Sequence, residues 1–198
     1  MLIKHTPYIY EYENYVESEV CDSIINAIES QGIPESIFTE GKNRIRKNSC
    51  LNLTRCGLKE IKNIDNFVHT IFSEVHQNYL QDNKYLYFLL RDGNHFVKYL
   101  SSEYIYRKYD SNDYYDWHLD MTEGKNNLFS YLLYLNDDFS GGETVFLHEK
   151  LKLKPKKGSL LCFPCDYRMI HKSLKIKTGS KKIIWTCLHN ILNNGGIA

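Results

Sequence analysis

The segment LFSYLLYLN at residues 128–136 decides the fold class. It is rich in aromatic and large aliphatic residues and is followed by the polar pair Asp137-Asp138, which is typical of a buried β-strand that ends in a turn. Shorter runs of the same kind, separated by turn residues, lie at residues 104–109, 144–147, 159–163, 170–176 and 182–189. Short strands at this spacing predict an antiparallel sandwich or jelly roll.

The N-terminal half has helical periodicity instead. Apolar residues recur every three to four positions over 18–31 and 58–79, which predicts two amphipathic helices. His69 and His76 are expected on the polar flank of the second helix. The polar, basic segment 39–55 between the helices predicts a loop, and covering a site is one role that such a loop can have.

These elements predict one domain over residues 1–198. Its helical part, about residues 1–100, is expected to pack on a mainly β core, about residues 101–190. A composition of 42% hydrophobic residues, with 16 Tyr and 9 Phe, disfavours disorder because it offers enough apolar area for a core. No segment resembles a membrane span or a signal peptide, so we expect a cytoplasmic protein, in a cell or a virus-infected host, with reduced cysteines.

The charge is distributed unevenly along the chain. The net charge is only +1, yet residues 150–182 contain eleven Lys or Arg and a single acidic residue, Asp166. Because these lysines alternate with apolar residues such as Leu151 and Leu153, one interpretation is that they cover the solvated face of strands. The other interpretation is that this segment attracts an anion, such as a dicarboxylate, an acidic peptide or a nucleic acid.

The residues with metal-binding chemistry lie in the β region. In His118-Leu119-Asp120, side chains two positions apart in a strand point to the same face, so both can offer ligand atoms to one ion. The strand-like segment around His171 supplies a third candidate. Two imidazoles and one carboxylate form the facial triad of non-haem Fe(II) enzymes, which leaves coordination positions open. A histidine simply satisfied by a nearby carboxylate is the alternative.

Lys181 is the candidate partner for an organic anion at such a metal. A 2-oxo acid chelated at the open positions would need a cation for its far carboxylate. Lys181 follows His171 by ten residues, across a Thr178-Gly179-Ser180 turn, and we expect it on the neighbouring antiparallel strand. It could equally be one more surface lysine of the basic segment.

Residues 109–189 resemble the prolyl 4-hydroxylase type of Fe(II)/2-oxoglutarate dioxygenase. The resemblance rests on a tyrosine, HxD, YLND, GGET, KPKKGSLLCFP, a histidine and a lysine, in that order and at matching spacings. It implies a double-stranded β-helix (jelly roll) core. It also implies that His118, Asp120 and His171 are the catalytic metal ligands, and that Lys181, Tyr109 and Thr144 bind 2-oxoglutarate.

The resemblance further implies the reaction and its cofactors. Fe(II), 2-oxoglutarate and dioxygen would couple oxidative decarboxylation to hydroxylation of a C–H bond, with ascorbate as a reductant. Members that halogenate replace the carboxylate ligand by a small residue, so an intact Asp120 favours hydroxylation.

Substrate recognition matches the family less closely. Tyr115 matches a tyrosine beside the substrate, whereas Asn127 stands where members often have arginine. Cys187 stands where they have tryptophan, and Trp185 could compensate. The expected substrate is a prolyl residue in a protein or peptide. The alternatives are a free amino acid, another side chain, a nucleic acid, or a β-helix binding module without catalysis. We expect no membrane partner, and a monomer or homodimer.

Overall fold

The computed structural model of the protein describes residues 1–29, 39–40, 45–83, 99–101, 103–121 and 127–190. Two helices lie in this part of the chain, α1 (Ser18–Glu29) and α2 (Lys59–Asp82). The strands in chain order are β1 (Leu2–Lys4), β2 (Tyr10–Tyr12), β3 (Thr39–Glu40), β4 (Arg46–Lys47), β5 (Ser49–Asn52), β6 (Tyr99–Ser101), β7 (Ile105–Tyr109), β8 (Tyr114–His118), β9 (Asn127–Tyr134), β10 (Ser140–Gly141), β11 (Thr144–Phe146), β12 (Leu151–Leu153), β13 (Leu160–Pro164), β14 (His171–Ser173), β15 (Ile176–Thr178) and β16 (Lys181–Asn190).

Two antiparallel sheets form the β core. The large sheet has the order β1-β2-β13-β9-β16-β7-β5-β3, with β6 also paired to β16. The small sheet has the order β12-β11-β14-β8-β4, and β10 pairs with β15 in a separate ribbon. The fold is therefore mainly β with N-terminal helices and a jelly-roll core, which confirms the predicted fold class.

Strand β9 shows why the large sheet is buried on both faces. Phe129, Tyr131 and Leu133 belong to one cluster of buried side chains, which contains the apolar faces of α1 and α2; we call it the helix-side core. Leu132 and Tyr134 belong to a second cluster, which contains residues of the small sheet; we call it the site-side core. Because side chains alternate along a strand, one apolar run supplies both cores.

The two predicted helices are present. Helix α1 buries Cys21, Ile24 and Ile28 at helical spacing, and the predicted residues 30 and 31 lie outside the described part. Helix α2 is amphipathic, but the prediction for His76 is wrong. Its imidazole is buried, and Nδ1 lies 2.6 Å from the Tyr131 hydroxyl. The described residues contain no helix that is long and apolar enough to cross a membrane.

The prediction of a loop over residues 39–55 is wrong for much of that segment. Strand β4 pairs with β8 and strand β5 pairs with β7, so the segment extends both sheets. Residues 41–44 lie outside the described part, and a role for the segment as a lid stays a prediction.

The single strand predicted over residues 170–176 is instead two strands in different sheets. Strand β14 pairs with β8 and β11, whereas β15 pairs with β10. Strand β16, which begins at Lys181, lies in the large sheet. The prediction that His171 and Lys181 lie on neighbouring strands is therefore wrong, since they come from opposite sheets of the jelly roll.

Candidate active site

The three predicted metal ligands converge on one point. His118 is the last residue of β8 and His171 the first of β14, and these two residues are directly paired in the small sheet. Asp120 follows β8 by two residues. One ligand atom from each of the three side chains lies within 4.8 Å of the other two, so a single ion could contact all of them.

Backbone carbonyls set the imidazole orientations. His118 Nδ1 lies 2.7 Å from the Asp116 carbonyl oxygen, and His171 Nδ1 lies 2.9 Å from that of Met169. Because a carbonyl only accepts, Nδ1 carries the proton on each ring and Nε2 keeps a lone pair. Each Nε2 lies 3.6 Å from an oxygen of Asp120. Both rings therefore present ligand atoms to the carboxylate and the space beside it.

Asp120 is fixed by residues of the large sheet. Ser130 Oγ donates to Oδ2 at 2.5 Å, and Trp185 Nε1 lies 3.2 Å from the same oxygen. The Asn127 side-chain amide donates to the Asp120 backbone carbonyl at 2.7 Å. Trp185 and Asn127 thus position the metal-ligand segment, while their predicted roles toward a substrate stay predictions.

The protonation states suit a cation. Burial raises the pKa of Asp120, but the imidazoles of His171 and His118 and the Ser130 hydroxyl outweigh that effect, so the pKa is lowered overall. Burial lowers the pKa of His171 to about 4. At neutral pH the site therefore offers a carboxylate and a neutral imidazole, the forms that bind metals. A donor set of two imidazole nitrogens and one carboxylate fits Fe(II) with open coordination positions.

Lys181 lies at the opposite end of the site. Its side chain is 1% exposed, and Nζ donates to the Gly142 carbonyl at 2.9 Å and to Ser173 Oγ. Among the described residues it forms no ion pair. Burial lowers its pKa to about 7, an effect that Glu143 partly offsets. A buried ammonium without a carboxylate partner is costly, and an anionic ligand would remove that cost.

The Gly141-Gly142 turn brings the carbonyl to Lys181. Both residues have positive φ, at 79° and 69°. A Cβ on Gly142 would collide with the Ile176 side chain. Only glycine accommodates this combination of conformation and close approach. The backbone therefore requires the two glycines of the GGET motif. This requirement is independent of the candidate role of Thr144 in ligand binding.

The other two predicted anion-binding residues share the space with Lys181. The Tyr109 ring lies 4.8 Å from Lys181 Nζ, and burial raises the pKa of its hydroxyl to about 12. Thr144 Oγ1 lies 2.9 Å from the Tyr134 hydroxyl. A neutral phenol, a hydroxyl and an ammonium are together suited to a carboxylate.

One cavity joins the two ends. The predicted substrate residue Tyr115 lines it and stacks on His118, with ring centroids 3.4 Å apart. Arg107, Ser173 and Lys172 also line it, and the sequence analysis missed them. For Arg107 a signal existed, since it precedes Tyr109 by two residues on one strand and therefore faces the same side.

A sequence match to a known family agrees with this geometry. Residues 104–189 match the family described as the 2OG-Fe(II) oxygenase superfamily. The segment begins just before β7 and ends within β16, so it contains every predicted metal and anion ligand. The match confirms the resemblance found in the sequence, and the superfamily that it names uses Fe(II) and 2-oxoglutarate.

Several solved prolyl hydroxylases have the same fold. The viral collagen prolyl hydroxylase of Paramecium bursaria Chlorella virus-1, in complex with 2-oxoglutarate, is 22% identical with a TM-score of 0.67 over 93% of this chain and 97% of that one. A prolyl-4-hydroxylase of Pseudomonas putida is 14% identical with a TM-score of 0.66, over 92% of each chain.

A third similar structure contains a peptide. The prolyl hydroxylase of Trichoplax adhaerens, in complex with a fragment of the hypoxia-inducible factor oxygen degradation domain, is 17% identical with a TM-score of 0.70, over 93% of this chain and 84% of that one. At these identities the likeness establishes the fold. No curated protein matches the chain by sequence.

Proposed function

We propose that the protein is an Fe(II)- and 2-oxoglutarate-dependent hydroxylase that acts on a prolyl residue of a protein or peptide. The observation that carries the proposal is the pairing of two sites in one cavity. His118, Asp120 and His171 form the metal end, and the buried Lys181 forms the anion end. Such a pairing suits a cosubstrate that reaches a metal with one end and a cation with the other.

His118, Asp120 and His171 would hold Fe(II), which, with 2-oxoglutarate and dioxygen, supplies the oxidising power for a C–H bond. The chain's own residues set up that chemistry. The Asp116 and Met169 carbonyls fix the tautomers of the imidazoles, and Ser130 and Trp185 hold the carboxylate. Lys181 would bind the distal carboxylate of 2-oxoglutarate, assisted by Tyr109 and Thr144. Pairing with this anion would raise the lysine pKa above about 7 and keep the ammonium charged.

The prolyl substrate is supported by three of the similar structures, which are prolyl hydroxylases. One of them binds a peptide. Tyr115 at the metal end would contact the substrate ring, with Trp185 beside it. We extend the proposal to ascorbate as a reductant and to a cytoplasmic location, which is supported by six cysteines that are all free thiols.

The experiment measures both halves of the reaction. The protein is incubated with Fe(II), 2-oxoglutarate, ascorbate, air and a set of proline-containing peptides, and succinate and a peptide gain of about 16 Da are quantified. His171→Ala should abolish both signals, whereas His148→Ala, at an exposed histidine, should keep them. Failure of the iron-loaded protein to form succinate with any substrate would contradict the proposal. Free proline and oligonucleotides as additional substrates test the alternatives.

A further inference from the structure

The cavity contains more positive charge than the proposed reaction uses. We infer that the substrate presents a carboxylate to Arg107, next to the C–H bond that is hydroxylated. This inference rests on the proposed function, since it identifies the substrate chemistry of the same site.

Arg107 is a buried cation without an anion. Its side chain lines the cavity and the residue is only 7% exposed. Among the described residues it forms no ion pair, and its Nη1 is buried without a hydrogen-bond partner. Its guanidinium lies over the Trp185 ring, 4.7 Å from the ring centre. Burying such a group is costly, so a ligand that pairs with it is expected.

The position of Arg107 separates it from the cosubstrate end. On β7 and β16, Tyr109 is paired with Lys181, whereas Arg107 is paired with Ile183, two residues further toward Trp185. Trp185 in turn bonds to the metal ligand Asp120. Arg107 is therefore displaced from Lys181 toward the metal end, where the reacting part of a substrate has to lie.

The charges of the filled site leave Arg107 unbalanced. The two positive charges of Fe(II) and the one of Lys181 would be balanced by Asp120 and the two carboxylates of 2-oxoglutarate. Arg107 is then in excess. Two more cations are nearby: the Arg46 guanidinium lies 5.4 Å from the Tyr115 ring, and Lys172 Nζ lies 4.2 Å from the Trp117 ring. With a neutral substrate, all three would have no anionic partner among the described residues.

A carboxylate fits this position because a guanidinium binds it through two parallel hydrogen bonds. Nη1 of Arg107 has no hydrogen-bond partner among the described residues, so it can donate to such a group. Two kinds of substrate carry such a group: a free amino acid, through its α-carboxylate, and a peptide with Asp or Glu next to the target residue. The chemistry recognised is the same, and the experiment separates the two sources.

The test uses two matched pairs of probes, L-proline against L-prolinamide, and a capped peptide with Pro-Glu repeats against the same peptide with Pro-Gln. Binding is measured calorimetrically with 2-oxoglutarate and Mn(II) in place of Fe(II), so no turnover is needed. The wild type should prefer the carboxylate member of one pair by about tenfold or more, and that pair identifies the source. Arg107→Gln should remove the preference and Arg107→Lys should retain part of it. Arg55→Gln should keep it, since this arginine is exposed and paired with Glu103.

Thermal melting of the ligand-free protein gives a second readout. If the partner of Arg107 is a substrate anion, ligand-free Arg107→Gln should melt at the same temperature as the ligand-free wild type or higher, because an unpaired buried charge is removed. A large decrease in melting temperature would assign the arginine a structural role and overturn the inference.

Three binding results would also overturn it: no preference in either pair, a preference that survives Arg107→Gln, or weaker 2-oxoglutarate binding by Arg107→Gln without substrate. Wild-type protein that binds 2-oxoglutarate but shows no carboxylate preference would contradict this inference and leave the proposed function standing. Failure to bind 2-oxoglutarate would overturn both.

Discussion

The two faces of the large sheet use the same strands for different purposes. On the helix-side core, the polar atoms of buried aromatic and histidine side chains bond to one another, as in the pair His76 and Tyr131. On the site-side core, Lys181 and Arg107 are buried cations with no ion pair among the described residues. The first face buries polar groups that bond to each other, and the second buries two charges for which we propose ligands as partners.

This comparison separates loss of stability from loss of ligand binding. Substitutions that remove a charge from the site-side core should impair binding without destabilising the apoprotein. Substitutions in the helix-side core should change the free energy of unfolding and leave the ligands in place.

The largest expected effect is the loss of metal affinity when a metal ligand is replaced. Asp120→Asn should lower Fe(II) affinity by more than about a hundredfold, because even residues that only support a metal ligand contribute 10- to 100-fold. Its unfolding temperature should change little, since an amide still fits beside Ser130 and Trp185. Metal titration and thermal melting measure the two quantities, with Asp22→Asn, at an exposed aspartate of α1, as the control. If folded Asp120→Asn binds Fe(II) as tightly as the wild type, Asp120 is not a metal ligand.

The next effect concerns the pH dependence of stability. Burial lowers the pKa of His76 to about 4 from the usual 6.5. The unfolded chain therefore binds more protons between these values, and stability present above about pH 6.5 is lost as the pH falls through 4. The free energy of unfolding that is lost in this way is about 3 kcal/mol.

Replacing both partners, His76→Leu with Tyr131→Phe, should flatten that part of the profile without leaving a buried polar group unpaired. Urea unfolding between pH 4 and 8 measures it, and His148→Leu, at a surface histidine, should leave the profile unchanged. A double variant with the wild-type slope would show that the acid sensitivity originates elsewhere.

Lys181 tests the site-side core. Lys181→Met should weaken 2-oxoglutarate binding by about one to two decades, the value of a charge-assisted hydrogen bond of roughly 1.5–3 kcal/mol. The same variant should melt at a higher temperature without ligands, because a desolvated ammonium is removed. Lys182→Met is the matched control, since that neighbouring lysine is paired with Glu29 at 3.4 Å. If Lys181→Met and Lys182→Met bind 2-oxoglutarate equally well, its distal carboxylate does not bind at Lys181.

The sequence was sufficient for the features that depend on local patterns. Alternation and turn residues predicted most strands of the core, and motif spacing predicted the ligands at both ends of the cavity. Ser130 could not be predicted as a support of Asp120, because a serine within an apolar strand has many roles and only the pairing of β9 with β16 brings it to Trp185.

The incorrect predictions share a cause, which is dependence on partners distant in sequence. Strands β4 and β5 are polar and short, and they exist because β8 and β7 offer edges to pair with. The helical pattern of α2 places His76 on its polar flank, and only the tertiary contact with Tyr131 explains its burial. The separation of β14 from β15 follows from contacts with the Gly141-Gly142 turn, where Gly142 N–H donates to the Lys175 carbonyl.

The smallest expected effect is the change in stability when lysines on the outer face of the small sheet are replaced. Lys152 and Lys154 are exposed, while Leu153 between them is buried, as alternation predicts for a solvated strand face. Lys152 Nζ lies 3.3 Å from Glu143 but is 58% exposed. Reversing both lysines to Glu should therefore change the free energy of unfolding by less than about 1 kcal/mol.

The same double reversal decides whether the basic segment attracts the substrate from a distance. Exposed charges are largely screened at about 0.15 M salt, so kcat/KM and its salt dependence should stay close to wild type. Arg107 acts by contact inside the cavity, and only its substitution should change the recognition of a carboxylate. A fall in kcat/KM of the double reversal that disappears in high salt would instead show steering by the whole basic segment. The lysines of the outer face would then belong to substrate recognition together with Arg107.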